Sequence, residues 1–545
     1  MRIILTVIAL GSLAAPTASS AQEATVPTEV RSAAGTIGAE QLGRDASYLA
    51  SDALRGRTTP SPGLDSAAAY VVRRLSALGL KPLGDDGTFL QRYSVREVAF
   101  DTSASSIEAG GRRLRFGEDF LPGILVDSVT VSAPLVYVGH GIRAPKKGID
   151  PYANVDVRGK IVVVHGPLAF PKGESFETLG TVRVDWMRPW DEASRQGAVG
   201  MITLPVPAAL QRWEALRAAP RLRSRELDPP VPSAYQAPRL TTMDVNPSAI
   251  APLFEGEAAS LARILDAAAT GEFVPSFELA PRKRVTLNVR AAVQRLRPYN
   301  VVAMVEGSDP ALRHETVTLA AHLDGAVGSR PVEGDSVYNA ADDNASGSAG
   351  LLAIAEAMMR GPRPRRSIVF VWDSGEETGL WGSRYFVSRP PVPLADIVTH
   401  FNVDMIGRTK QPGTAAEGER ELSGPDEVYV VGPRVISTEL DSLVERANRD
   451  LTKLRLDRRY DVPTHEFFYA RTDAGPYMER GVPVIGVFTG LHADYHMPGD
   501  EPHKLDARKM EQVSRLVFVT AWLLADAERR PVLDKGYPAR VPRYR

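Results

Sequence analysis

The stretch LAAHLDGAVGSRPVEGDSVYNAADDNASG, residues 319–347, decides how the rest of the chain is read. Its apolar run ends in His322 and Asp324, and residues two apart on a strand point to the same face. His322 is therefore expected to face a cavity with Asp324 beside it, able to accept a hydrogen bond from the second ring nitrogen. A metal-bound imidazole needs that support. A Gly-rich loop follows, then Asp342-Asp343-Asn344, then a helix opened by Ala345-Ser346-Gly347. A carboxylate there would stand where a loop meets a helix start, above a strand end. In isolation the same residues also suit a surface turn rich in Asp and Asn. The flanking chain separates the two readings.

Around this stretch, apolar strands alternate with amphipathic helices. Strands are predicted at VTLNV (285–289), NVVAMVEG (300–307), ETVTLAAHLD (315–324), RSIVFVWD (366–373), THFNVDMIG (399–407), EVYVVG (427–432) and VPVIGVFTG (482–490). Helices are predicted at 347–360, 379–388, 438–451 and 508–526. The pattern implies an α/β layer domain over 284–530, and such sheets place their sites at the carboxyl ends of strands. His322 ends one strand, Glu376 and Glu377 follow the next, Asp404 ends a third, and His496 follows a fourth. Asp342 lies on the loop between the first strand and its helix. Scattered solvated charges would not favour one end of four strands.

Upstream, residues 22–126 begin with helical spacing, including a helix at about 64–78 stopped by Gly79. Residues 127–283 carry short strands and turns, predicting a small, separate β-rich module; Arg212 to Pro238 has no clear period. His140 and His165, inside that module, read as ordinary polar residues. Residues 531–545 form a basic, Pro-rich tail. Arg2, the apolar run Ile3 to Leu13 and the small residues 18–21 read as a signal peptide, residues 1–21, cleaved after Ala21. This implies a secreted or periplasmic protein. No later segment reaches the roughly 18 apolar residues of a membrane span, so no membrane anchor is expected.

The 545 residues are 43% apolar and 24% charged with a net charge of -1, which gives no global field to recruit nucleic acid. There is no cysteine, which excludes disulfides, thiolate zinc sites and cysteine nucleophiles. Any metal must be held by His, Asp and Glu, a donor set that fits zinc and, less specifically, manganese or cobalt. The chemistry that suits these groups is metal-assisted hydrolysis, with one further carboxylate to move protons.

HLD, ADDNASG, EE, NVDMIGR and DYHMPGD, in this order and spacing over 322–500, are similar to the M28 family of co-catalytic zinc aminopeptidases. LASDALRGR and SPGLDSAAAYVVRRLSALGLKPLG resemble the helical start of M28 exopeptidases. YVGHGI, NVDVRGKIVVV and GAVGMI resemble the protease-associated (PA) domain inserted in many of them. The resemblance implies a mixed central β-sheet flanked by helices, the zinc-exopeptidase (phosphorylase/hydrolase-like) arrangement, with an inserted small β-rich PA domain. It implies two zinc ions per chain and peptide substrates. Asp342 would bridge the ions, joined to Asp343 by a cis peptide bond. His322 and Asp404 would complete one ion, Glu377 and His496 the other. Glu376 would be general base and later general acid, and Asp324 would orient His322. The family's Arg-Ser-Asp-His pattern reads Arg471-Thr472-Asp473-Ala474 here, leaving Arg471 to help hold substrate without the histidine. Tyr495 and Tyr477 are candidate oxyanion donors. His492 is expected in a supporting position rather than as a ligand.

The same resemblance leaves three other readings. A carboxypeptidase acting on acidic peptides would need a cationic pocket, to which Arg471 or Arg408 could contribute. A glutaminyl cyclase would need one zinc, and the full ligand set argues against it. A receptor-like binding protein would be expected to have lost ligands.

Overall fold

Val317, Leu319 and Ala321 pack on one side of the strand that ends at His322, and Ala320 packs on the other. Both faces of this strand are covered, which is why it reads as an unbroken apolar run rather than an alternating one. The computed structural model describes residues 25–537 apart from 167–168, 181, 183–184, 232–239, 326–327, 329–330, 412, 414–418, 420 and 464–470. The expected signal peptide, residues 1–21, and residues 538–545 of the tail lie outside the described residues.

The strands of the large sheet are β1 (Lys81–Pro82), β2 (Leu90–Arg92), β3 (Tyr299–Val305), β4 (Thr316–His322), β5 (Ser367–Asp373), β6 (Ile397–Val403), β7 (Glu427–Val431), β8 (Arg455–Asp457) and β9 (Val484–Phe488). Their order is β1-β3-β5-β4-β6-β9-β7-β8, with β2 also beside β3. β5, β4, β6 and β9 run parallel, while β3 and β7 run antiparallel to their neighbours β5 and β9. The carboxyl ends of β4, β5, β6 and β9 therefore share one edge.

Among the described residues, the helices that frame this sheet include α1 (Ala39–Leu49), α2 (Pro62–Leu78), α3 (Gly347–Arg360), α4 (Trp381–Ser388), α5 (Thr438–Ala447), α6 (Ala474–Glu479) and α7 (Ala507–Asp526). α1, α2, α3, α5 and α7 bury Leu42, Leu75, Leu351, Val444 and Phe518 against one face. α4 and α6 cover the other with Phe386, Tyr477 and Met478. The start of α2 is fixed by Ser61, whose hydroxyl accepts from Leu64 N at 3.1 Å, and its end by Gly79 at φ 75°. No helix among the described residues is long and apolar enough to cross a membrane.

A second nine-stranded sheet has its own apolar core around Leu135, Ile161, Ile202, Met243 and Leu287. It reaches beyond the expected 127–283, because Ser106–Ala109, Arg112–Leu114, Phe120–Pro122 and Arg284–Val289 all join it. The expectation that VTLNV belongs to the α/β layer is corrected here. Arg284–Val289 pairs antiparallel with Val129–Tyr137 along its whole length, where Val285 and Leu287 fill the second core. The unpatterned 212–238 stretch contains a helix, Trp213–Ala218, and a strand, Arg223–Leu227. That strand joins Val95–Phe100 and Ala291–Leu296 in a three-stranded sheet.

Candidate metal centre

The parallel strands deliver their side chains to one edge. His322 is the last residue of β4, Asp404 follows β6 directly, Glu376 and Glu377 lie on the turn after β5, and His496 lies on the loop after β9. Asp343 comes from the loop that enters α3. Its two oxygens face opposite ways: Oδ1 is 3.1 Å from His322 Nε2, and Oδ2 is 3.1 Å from His496 Nε2. His322 Nε2 is also 3.3 Å from Asp404 Oδ1, and His496 Nε2 is 3.0 Å from Glu377 Oε2. Two three-residue clusters result, His322–Asp343–Asp404 and Asp343–Glu377–His496, in each of which one ligand atom per residue falls within 4.8 Å of the others.

These donors fit a pair of zinc ions. They are imidazole nitrogens and carboxylate oxygens, one carboxylate is common to both sets, and Glu377 Oε1 is buried without a hydrogen-bond partner.

The shared carboxylate belongs to Asp343, which corrects the expectation for Asp342. The backbone amides of both residues hang on the Asp500 carboxylate at 3.0–3.1 Å. This fixes the loop so that the Asp342 side chain turns away from the clusters. Its Oδ1 accepts from Gly407 N at 2.6 Å, and its Oδ2 lies 3.4 Å from His492 Nε2. The cis peptide is correspondingly Asp343–Asn344, not Asp342–Asp343. Asn344 locks the next step, accepting from Gly347 N at 2.9 Å and donating to Val403 O at 3.0 Å. His492 stands where a supporting residue was expected, buried against Asp342 and 4.0 Å from Asp500.

Asp324 supports His322 through its backbone. His322 Nδ1 lies 3.1 Å from Asp324 O, while the Asp324 carboxylate is 3.9 Å away and accepts instead from Glu376 N at 3.3 Å. The rim holds Tyr495, whose ring stacks on His496 at 3.8 Å between centroids, with the exposed Arg471 close enough to bias the Tyr495 hydroxyl electrostatically. Tyr477 is not on the rim. It is fully buried on the far face of the sheet, stacked on His400 at 3.5 Å, which removes it as an oxyanion donor. Arg408 is committed to Asp494 at 2.9 Å and lies 3.7 Å from Asp500. An apolar recess beside Asp404 is lined by Met405, Val431, Val484, Gly486 and Phe488.

The charges are strongly coupled. Burial opposes ionisation of Asp343, but hydrogen bonds from His322 and His496 outweigh it and hold the carboxyl well below its ordinary range. Burial, reinforced by the Asp343 charge, pushes Glu377 up to about 7. Glu376 is raised well above a normal glutamate by burial, with Asp473, Glu377 and Asp404 adding repulsion that His322 only partly offsets. A divalent cation between these groups favours ionised carboxylates and neutral imidazoles.

Sequence reasoning passed over three residues that shape this centre: Asp500, Arg57 and Thr59. Asp500 and Arg57 close the DYHMPGD and LASDALRGR stretches, Thr59 falls just after the latter, and each acts through contacts with distant backbone.

Residues 300–521, which contain every converging group, match Peptidase family M28. Leupeptin-inactivating enzyme 1 of Streptomyces exfoliatus is 29% identical over 202 residues, 36% of this chain and 36% of that protein. Leucine aminopeptidase 2 of Trichophyton equinum is 28% identical over 221 residues, 40% of this chain and 39% of that protein. The chain thus aligns with well under half the length of these relatives. The solved aminopeptidase from Aneurinibacillus sp. strain AM-1 shares the fold, with a TM-score of 0.54 at 17% identity over 95% of this chain and 100% of that one. The likeness to Peptidase family M28 is thus confined to residues 300–521, the part of the chain that carries the two clusters.

Proposed function

We propose that this protein is an exported two-zinc aminopeptidase that hydrolyses the first peptide bond of peptides. The observation that carries the reading is the Asp343 carboxylate, placed between a His322–Asp404 cluster and a Glu377–His496 cluster with Glu376 adjacent. His322, Asp343 and Asp404 would hold one ion, and Asp343, Glu377 and His496 the other. Zinc bound there acidifies water and polarises a scissile carbonyl.

The remaining work falls to side chains. Glu376, partly exposed in the cleft, takes a proton from the attacking water and returns it to the leaving amine. Its raised affinity for protons suits the second half of that cycle. The surplus of carboxylates favours a substrate that arrives with a free ammonium. Arg408 is already spent on Asp494 and Asp500, which disfavours the carboxypeptidase reading. The recess beside Asp404 suits an apolar side chain on the N-terminal residue. The second sheet agrees with a protease-associated module in having its own core and in interrupting the chain between α2 and β3. Export is supported by the sequence of residues 1–21.

The test pairs zinc counting with turnover of Leu-p-nitroanilide and its N-acetylated form. Two zinc per chain, chelator-sensitive cleavage and inert acetylated substrate are expected. Equal cleavage of both substrates would overturn the aminopeptidase assignment.

A further inference from the structure

Arg57 lies in a segment far from every ligand in sequence, yet it is fully buried against the metal centre. Its guanidinium donates only to backbone carbonyls: Nε to Leu323 O at 2.9 Å, Nη1 to Asn339 O at 3.0 Å and to Leu49 O, and Nη2 to Ala340 O at 2.9 Å. Leu323 follows His322, and Ala340 lies three residues before Asp343. One planar fork therefore ties the strand end that carries one ligand to the loop that carries the shared carboxylate.

Two residues on, Thr59 reaches the third ligand-bearing segment. Its hydroxyl accepts from Gly375 N at 3.0 Å and lies near enough to the Asp324 carboxylate to stabilise its charge, and that carboxylate itself accepts from Glu376 N. The approach is close throughout. A Cβ on Gly325 would meet Gly56 O at 2.5 Å, and one on Gly56 would meet Tyr338 O at 2.5 Å. Arg55, Gly56 and Arg57 all have positive φ (49°, 78° and 55°), a backbone that presents the guanidinium inward.

An arginine placed purely for packing would be expected to pair with a carboxylate once buried. Among the described residues Arg57 touches none. Its charge instead faces Asp324, Asp500, Asp343 and Glu377 at longer range. We infer that Arg57 and Thr59 are positioning residues of the metal centre: they set the spacing of His322, Asp343 and Glu377 before any ion arrives, and Arg57 supplies a fixed positive charge behind the acidic ligands. The inference rests on the two-zinc reading.

The test is zinc affinity, measured by chelator competition on metal-free wild type, Arg57→Gln, Arg57→Lys and Thr59→Val, alongside thermal melting of each metal-free protein. Arg57→Gln should weaken zinc binding by about tenfold or more, the scale seen when partners of metal ligands are removed. Arg57→Lys should recover part of the loss, because it restores charge without the fork. Thr59→Val should weaken binding by a few-fold. A lower melting temperature with wild-type zinc affinity in Arg57→Gln and Thr59→Val would overturn the inference and leave a purely structural role. If Arg57→Gln does not fold, wild-type affinity in both Arg57→Lys and Thr59→Val overturns it equally. A wild type that takes up no zinc overturns the two-zinc reading and this inference with it.

Discussion

Two pairs of histidines, one on each large sheet, differ in what faces them: among the described residues His140 and His165 are buried without carboxylate partners, whereas the buried His322 and the partly exposed His496 each meet carboxylates. In the second sheet, His140 and His165 lie edge to face at 6.4 Å, with His165 Nδ1 held by the Tyr137 hydroxyl at 2.7 Å. Burial, aided at His140 by the His165 charge, lowers both to about 4, so both are neutral. In the large sheet, burial alone would also lower His322 and His496. There Asp404 and Asp343 outweigh it at His322, and hydrogen bonds to Asp343 and Glu377 carry His496 up to about 10. Burial alone does not mark a functional histidine. Carboxylates that converge on the same nitrogen do, because only a cation, proton or metal, relieves them.

The largest effect should come from breaking the acidic side of this comparison. Asp343→Asn removes the group common to both clusters, and both zinc ions and all measurable turnover should be lost, checked by elemental analysis and the Leu-p-nitroanilide assay. Next, Glu376→Gln should keep two zinc per chain while kcat falls by about a hundredfold to ten-thousandfold, the usual range for a lost general acid–base group. Retained turnover there would move the proton-transfer role elsewhere.

The neutral pair gives a smaller, pH-dependent effect. Because the folded state binds fewer protons than the unfolded state between about pH 4 and 6.5, the contribution of His140 and His165 is complete above about 6.5 and is lost as pH falls towards 4. Each contributes on the order of 3 kcal/mol of this loss. His165→Phe should flatten the acid limb of a melting-temperature profile and leave zinc content unchanged. Altered zinc content would join the two regions functionally. The smallest effect belongs to Asp342→Asn, which should retain both ions and cost about 1 kcal/mol through a weakened bond from Gly407 N. Loss of zinc in this variant, with retention in Asp343→Asn, would reverse the assignment of the shared carboxylate.

Much of this was legible in the chain. His322, Glu376, Glu377, Asp404 and His496 follow apolar runs, and parallel strands turn that regularity into a common edge. The helix from 347 to 360 coincides with its apolar spacing. The Asp342/Asp343 choice was not legible, since adjacent acids are equivalent as letters and the contact that rotates them comes from Asp500, far along the chain. The partner of VTLNV was equally hidden, because a strand's alternation shows that it pairs but not with what. Arg57 escaped for the same reason. Its partners are backbone carbonyls, which carry no sequence signature, and Leu323 lies 266 positions away.

The ligands come from the ends of four strands and from the loop entering α3, and no short stretch of the chain contains a complete set. On the proposed two-zinc reading, capture of metal would be a late event in the life of each molecule. While β4, β5, β6 and β9 are still unpaired, no stretch of chain holds the geometry to retain an ion. A nascent chain would then carry no ion. The sheet must close first, so uptake of zinc can serve as a readout of finished assembly.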